Sequence, residues 1–100
     1  MDDFERIKIL LKSIHDEDII FKRHFYSRTL ERPIDESLVR ENIKKTDDIL
    51  KIEQQPARKD GEEKFKIWIR LSRRYALVLV VAVAQKKLII ITGWNAKWQK

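Results

Sequence analysis

Residues Tyr75–Ala84 read YALVLVVAVA. Both alternating sets are apolar: Leu77, Leu79, Val81 and Val83 on one side, Ala76, Val78, Val80, Ala82 and Ala84 on the other. Alternation of apolar and polar residues marks a half-buried strand, whereas an unbroken β-branched run marks a strand covered on both faces. The run is far short of the roughly 20 residues that cross a bilayer as a helix. It reads as an internal strand of a small sheet. The small side chains of Ala76, Ala82 and Ala84 leave room for a close-packed layer on one face, expected to be a helix.

Strands are expected on both sides of it. Lys64–Ser72 alternates, with Phe65, Ile67, Ile69 and Leu71 facing one way and Lys64, Lys66, Trp68, Arg70 and Ser72 the other. Lys87–Gly93 reads as the following strand, and Ile49–Gln55 as a weaker edge strand closed by Pro56. Ala57–Glu63 is a charged hairpin loop centred on Asp60-Gly61, a strong turn pair. Ser72–Arg74 and Gln85–Lys86 are short enough to join antiparallel neighbours.

Upstream, the period changes to that of a helix. Phe4, Ile7, Leu11 and Ile14 form one apolar stripe across Asp2–Ile14, with Asp2 and Asp3 at the end where negative charge is favoured. Ile19–Arg32 reads as a second helix with a short extended lead-in, ended by Pro33. Asp35 caps a third, Glu36–Lys45, which buries Leu38, Val39 and Ile43. The expectation is one α+β domain over residues 1–100, with three N-terminal helices packed on one face of a four-stranded antiparallel sheet. The patterns do not fix the strand order.

The chain has 100 residues, enough for a real core, and 22 Lys+Arg against 16 Asp+Glu give a net charge of +6. A basic domain of this size points to a polyanionic partner, nucleic acid before membrane; the alternative is a soluble protein that is merely basic. There is no cysteine, hence no disulfide or thiolate metal site, and two histidines, His15 and His24, argue against a protein-only zinc site. The two glycines, Gly61 and Gly93, cannot build a Gly-rich phosphate cradle, and no Walker, GxGxxG or HExxH motif occurs. No metal or cofactor is expected. The amphipathic start, MDDFERIKILL, is not a signal peptide, and a cytoplasmic location is expected.

Three places could carry chemistry. On the strand face, Lys64, Lys66 and Arg70 surround Trp68; cations neutralise phosphates and a ring stacks on an unpaired base. The other reading is a solvated strand face with one tryptophan over an apolar gap. On the second helix, His24 and Arg28 lie one turn apart, with Lys22, Arg23 and Arg32 nearby. An imidazole can move a proton near neutrality and a guanidinium can hold a phosphate, but the same residues could simply pair with Glu31 on an exposed helix. At the C-terminus, GWNAKWQK interleaves Trp94 and Trp98 with Lys97 and Lys100. That tail could close over a nucleic-acid groove, or it could tuck Trp94 against the core.

The stretch FKRHFYSRTLERPIDESLVRENI resembles the N-terminal signature of a small domain family of unknown function related to the RelE-like toxins of toxin–antitoxin systems. His24, Arg28, Glu31, Arg32 and Ile34 match the pattern of a histidine, an aromatic and an arginine followed by Glu-Arg-x-Ile. Pro33 stands where the family has a glycine. The resemblance extends from Ile19 to Trp94, with later strands similar only in kind. It implies a RelE-like fold and a metal-independent endoribonuclease acting on mRNA, in some members on the ribosome, with an antitoxin protein as partner. If the protein is such a nuclease, His24 is the candidate general acid/base and Arg28 the phosphate clamp; Lys66, Arg70 and Lys97 sit in elements comparable to those that carry the RNA-binding cations of RelE-like toxins, and Arg32, Lys64 and Trp68 complete the set expected to contact RNA. A non-catalytic RNA-binding or protein-interaction domain on the same fold is the alternative.

Overall fold

The structure is a computed structural model that describes residues 2–29, 34–57 and 60–98, residues 27–29 by their backbone alone. Its elements are α1 (Asp3–Ser13), β1 (Ile19–Phe21), α2 (Arg23–Thr29), α3 (Glu36–Ile43), β2 (Ile49–Gln55), β3 (Glu63–Arg70), β4 (Tyr75–Ala84) and β5 (Lys87–Lys97). The fold is α+β, and the sheet has five strands in the order β1-β5-β4-β3-β2. Among the described residues no helix is long and apolar enough to cross a membrane.

The sheet is not the expected four-stranded antiparallel meander. Ile19–Phe21, read from sequence as the lead-in to a helix, is a short edge strand running parallel to β5, with Ile19 opposite Leu88 and Phe21 opposite Ile90. The Lys22 amide extends the pairing by donating to the Ile90 carbonyl at 2.9 Å. Three apolar, partly β-branched residues gain more from closing the sheet edge and burying Ile19 than from adding a turn to α2. The other pairs, β2–β3, β3–β4 and β4–β5, are antiparallel as expected.

Sequence chemistry sets the helix ends. Asp2 accepts a bond from the Glu5 amide and Asp35 one from the Leu38 amide, both at 2.9 Å, satisfying donors left over in each first turn. Gln85 and Lys86 both take positive φ, 50° and 65°, the geometry that turns β4 back into β5. One core joins Ile7 and Leu11 of α1, Phe25 of α2 and Val39 and Ile43 of α3 to Phe65, Ile67, Ile69, Leu77, Leu79, Val81, Leu88 and Ile90 of the sheet. All three helices therefore cover the same face.

The opposite face of β4 departs from expectation. Ala76, Val78 and Ala82 are buried, yet they stand outside that core. Abreast of them on the flanking strands stand larger side chains, Lys64, Trp68 and Arg70 on β3 and Ile89 and Trp94 on β5, and among the described residues these make the second surface of the sheet.

Candidate nucleic-acid interface

The register orders this open face into rows. Lys64, Ala82 and Ile89 lie abreast; next come Lys66, Val80 and Thr92; then Trp68, Val78 and Trp94; then Arg70, Ala76 and Ala96. The pleat that sends Phe65, Ile67 and Ile69 into the core sends Lys64, Lys66, Trp68 and Arg70 outward.

A bulge brings the second tryptophan here. Between Val80 and Val81 the pairing on β5 jumps from Thr92 to Ile90, so Ile91 is an extra residue. Strict alternation from buried Leu88 and Ile90 would turn Trp94 inward. The extra residue reverses the parity, turning Gly93 to the core and setting Trp94 opposite Val78, half-buried and still packed against the core at its edge. A Cβ on Gly93 would lie 2.8 Å from Leu79 Cδ2 and 3.2 Å from the Val78 carbonyl, so a larger residue here would require the Leu79 side chain and the neighbouring strand to shift.

Lys66 links the two indoles. Its ammonium lies 5.2 Å from the Trp68 ring centre and 5.4 Å from that of Trp94, within cation–π range of both. The Trp68 indole N–H donates to Glu53 Oε1 on β2 at 3.3 Å, fixing the ring. Glu53 also pairs with Lys51 at 3.4 Å. The result is a platform of two half-buried aromatic rings with a cation between them.

Beyond the Lys64 row lies an open hollow of about 510 Å³. Its floor is Ala82, Ile89 and Ile91; its rim is Lys22, Arg23 and His24 from the start of α2, with Glu62 and Lys64 from β3 and its approach. Among the described residues, no carboxylate lies within ion-pair distance of Lys22, Arg23 or Lys64. At the other end, Lys97 borders a shallow hollow with Leu50, Lys51, Trp68 and Trp98. There the Trp98 indole donates to the Ser72 carbonyl at 2.9 Å.

The residues singled out from sequence thus fall into groups. His24 and Lys64 share one hollow. Lys66 and Trp68 form the platform, and Lys97 lies near its far edge. Arg70 is on the same face, but it is bound to Asp48 at 2.7 Å and is the least available of the cations. His24 and Arg28 both belong to α2, as their spacing requires, but the Arg28 side chain and the whole of Arg32 lie outside the described residues. Trp94 was singled out only as part of a C-terminal tail, whereas it lies inside β5, placed by the bulge that alternation alone conceals; Glu62 and the isoleucine floor were not singled out. Among the described residues no group of three or more histidine, aspartate or glutamate side chains could hold a metal ion.

No protein-family model matches the chain, and neither does any curated protein or solved structure.

Proposed function

We propose that the protein binds single-stranded RNA on the open face of its sheet. The observation that carries this reading is Lys66 seated against the rings of Trp68 and Trp94. Rings of this kind take unpaired bases, and each stack is worth about 1–3 kcal/mol by alanine substitution. A base on either ring brings its own phosphate within reach of the Lys66 ammonium. The neighbouring cations of the hollow, Lys22, Arg23 and Lys64, continue the charge along the strand path. Duplex RNA is disfavoured, because its bases offer no free faces to the platform.

A second reading is favoured by one further observation, the position of His24 among Lys22, Arg23 and Lys64. Metal-independent cleavage by an attacking 2′-hydroxyl needs a proton acceptor, a proton donor and charge stabilisation at the phosphate. An imidazole beside three cations supplies the elements of that set. This reading carries the RelE-like fold, the toxin activity on mRNA, the antitoxin partner and the role of Arg28 as phosphate clamp.

Titrating labelled single-stranded RNA of about ten nucleotides against the wild type, Lys66→Ala and Trp68→Ala tests the first reading. Each variant should bind about tenfold more weakly or worse. Lys12→Ala, on the helical layer, should bind as the wild type does. Equal binding by all four proteins would remove the open face from consideration. The same RNA, followed by gel, tests the second: cleavage by the wild type and its loss by about 10²–10⁴ in His24→Gln is expected. Intact RNA after prolonged incubation with wild type would leave a binding protein only.

A further inference from the structure

We infer, building on the reading of the open face as an RNA-binding surface, that the hollow beside α2 holds one phosphate-bearing nucleotide, the terminal residue of a bound strand. Three features converge on that ligand. The floor of Ala82, Ile89 and Ile91 is apolar and broad enough for a sugar and base. The rim carries Lys22, Arg23 and Lys64, cations with no carboxylate at ion-pair distance among the described residues, so their charge is available to a phosphate. His24 stands on the same rim. Glu62, the one carboxylate there among the described residues, is a poor neighbour for phosphate but a good acceptor for a ribose hydroxyl or a base amino group. A polar rim over an apolar floor, in a volume of about 510 Å³, has the size and make-up of a small-molecule site.

Its place in the fold argues for a strand end rather than a passing segment. Lys64, Ala82 and Ile89 form the last broad row before β4 turns into β5 at Gln85 and Lys86. The first residues of α2 bound the hollow on the side beyond Ile89. A strand that follows Trp68, Lys66 and Lys64 runs out here, with its end phosphate among the cations.

The test uses the full chain and one RNA heptamer made with a 5′-phosphate, with a 3′-phosphate, and with hydroxyls at both ends. One phosphorylated form should bind about tenfold tighter than the hydroxyl form, the scale of one charge-assisted hydrogen bond. The double variant Lys22→Ala/Arg23→Ala should lose that increment, so that its preference for the phosphorylated heptamer over the hydroxyl form disappears even though both bind more weakly. Adenosine monophosphate should shift the amide resonances of residues 22–24, 64 and 89–91 and displace the phosphorylated RNA. Inorganic phosphate should need far higher concentration. Equal affinity for all three heptamers overturns the inference and leaves RNA binding in place. Inorganic phosphate as effective as the nucleotide overturns it too, because the apolar floor would then contribute nothing. Nucleotide-induced shifts without any heptamer binding would sustain the hollow as a site for free nucleotide and overturn the RNA-binding reading on which the strand-end assignment rests.

Discussion

At the scale of single residues, position on the sheet decides what each side chain can do, and parity decides position. Trp68 was assigned to the outer face by alternation alone, since Phe65, Ile67 and Ile69 fix the inner set. Trp94 could not be assigned that way. Its direction depends on whether Ile91 is counted in or out of the ladder, and nothing in the run Leu88–Thr92 signals the extra residue. His24 and Lys64 could be chosen for their chemistry, but not brought together, because they meet only across β5 and β4. Tyr26 offers a separate test of side-chain placement, joining α2 to α3. Its hydroxyl donates to Glu36 Oε2 at 3.0 Å. Desolvation first, and then this bond, raise the phenol above its ordinary value near 10, with Arg40 pulling the other way. The folded state thus favours the neutral phenol. The resulting stabilisation is fully present below the unfolded value and is lost as pH rises through the folded one. At 47% exposure it is a small contribution. In tyrosinate absorbance, Tyr26→Phe should remove a component that titrates above the ordinary phenol value, and Glu36→Gln should bring that component to lower pH. Identical curves for wild type and Glu36→Gln would show that the bond is not made in solution.

At the scale of elements, the strong periods were read correctly and the short strand was not. The ten-residue run of β4 announces an internal strand, and the caps Asp2 and Asp35 announce helix starts, because each is a local rule satisfied by adjacent residues. β1 has three residues and pairs with the last strand of the chain, so no local pattern reveals it. The sequence left the cover of the second face of β4 open between a helix packed on the alanines and a tryptophan over an apolar gap. Both alternatives fit an apolar strand with alanines. What holds β1 at the edge is a cation from α3. Arg40 pairs with Glu36 at 3.0 Å and donates to the carbonyls of Asp16 at 2.8 Å and Ile19 at 3.4 Å, while its guanidinium lies 5.2 Å from the Phe21 ring centre. Lys44 adds a bond to the Ile14 carbonyl at 2.6 Å. Removing Arg40 should therefore free the β1 edge before anything else. A charge-assisted bond is worth about 1.5–3 kcal/mol, so Arg40→Ala should speed exchange of the Lys22 amide by at least about tenfold. The amides of β4 should change only as far as global stability does. An unchanged Lys22 amide would show that β1 is held by its own pairing with β5.

At the scale of the whole molecule, the net charge of +6 matters less than which cations are already neutralised. Arg6 is taken by Asp3 and Glu63, Arg40 by Glu36, Lys44 by Asp16, Lys51 by Glu53 and Arg70 by Asp48. Lys22, Arg23, Lys64 and Lys66 have no such partner among the described residues, and all four lie along the open face or its hollow. Lys8, Lys12, Lys45, Arg73, Arg74, Lys86, Lys87 and Lys97 also have no carboxylate at ion-pair distance among the described residues, so what sets the four apart is their place beside the aromatic platform or on its hollow. Counterion release makes this measurable, since log affinity falls with log salt by about 0.7 per single-strand phosphate neutralised, so four free cations give a slope of about −3. Lys64→Ala/Lys66→Ala should flatten it by about 1.4. Arg70→Ala should flatten it much less, although Arg70 lies on the same strand, because Asp48 already holds its charge. Circular dichroism on each variant keeps a folding defect from passing as a binding one. A slope that drops as far for Arg70→Ala as for one of the free lysines would mean that RNA pulls Arg70 from Asp48 and that the count of free cations does not set the interface. A slope unmoved by the Lys64/Lys66 pair would place the RNA on another surface of the protein.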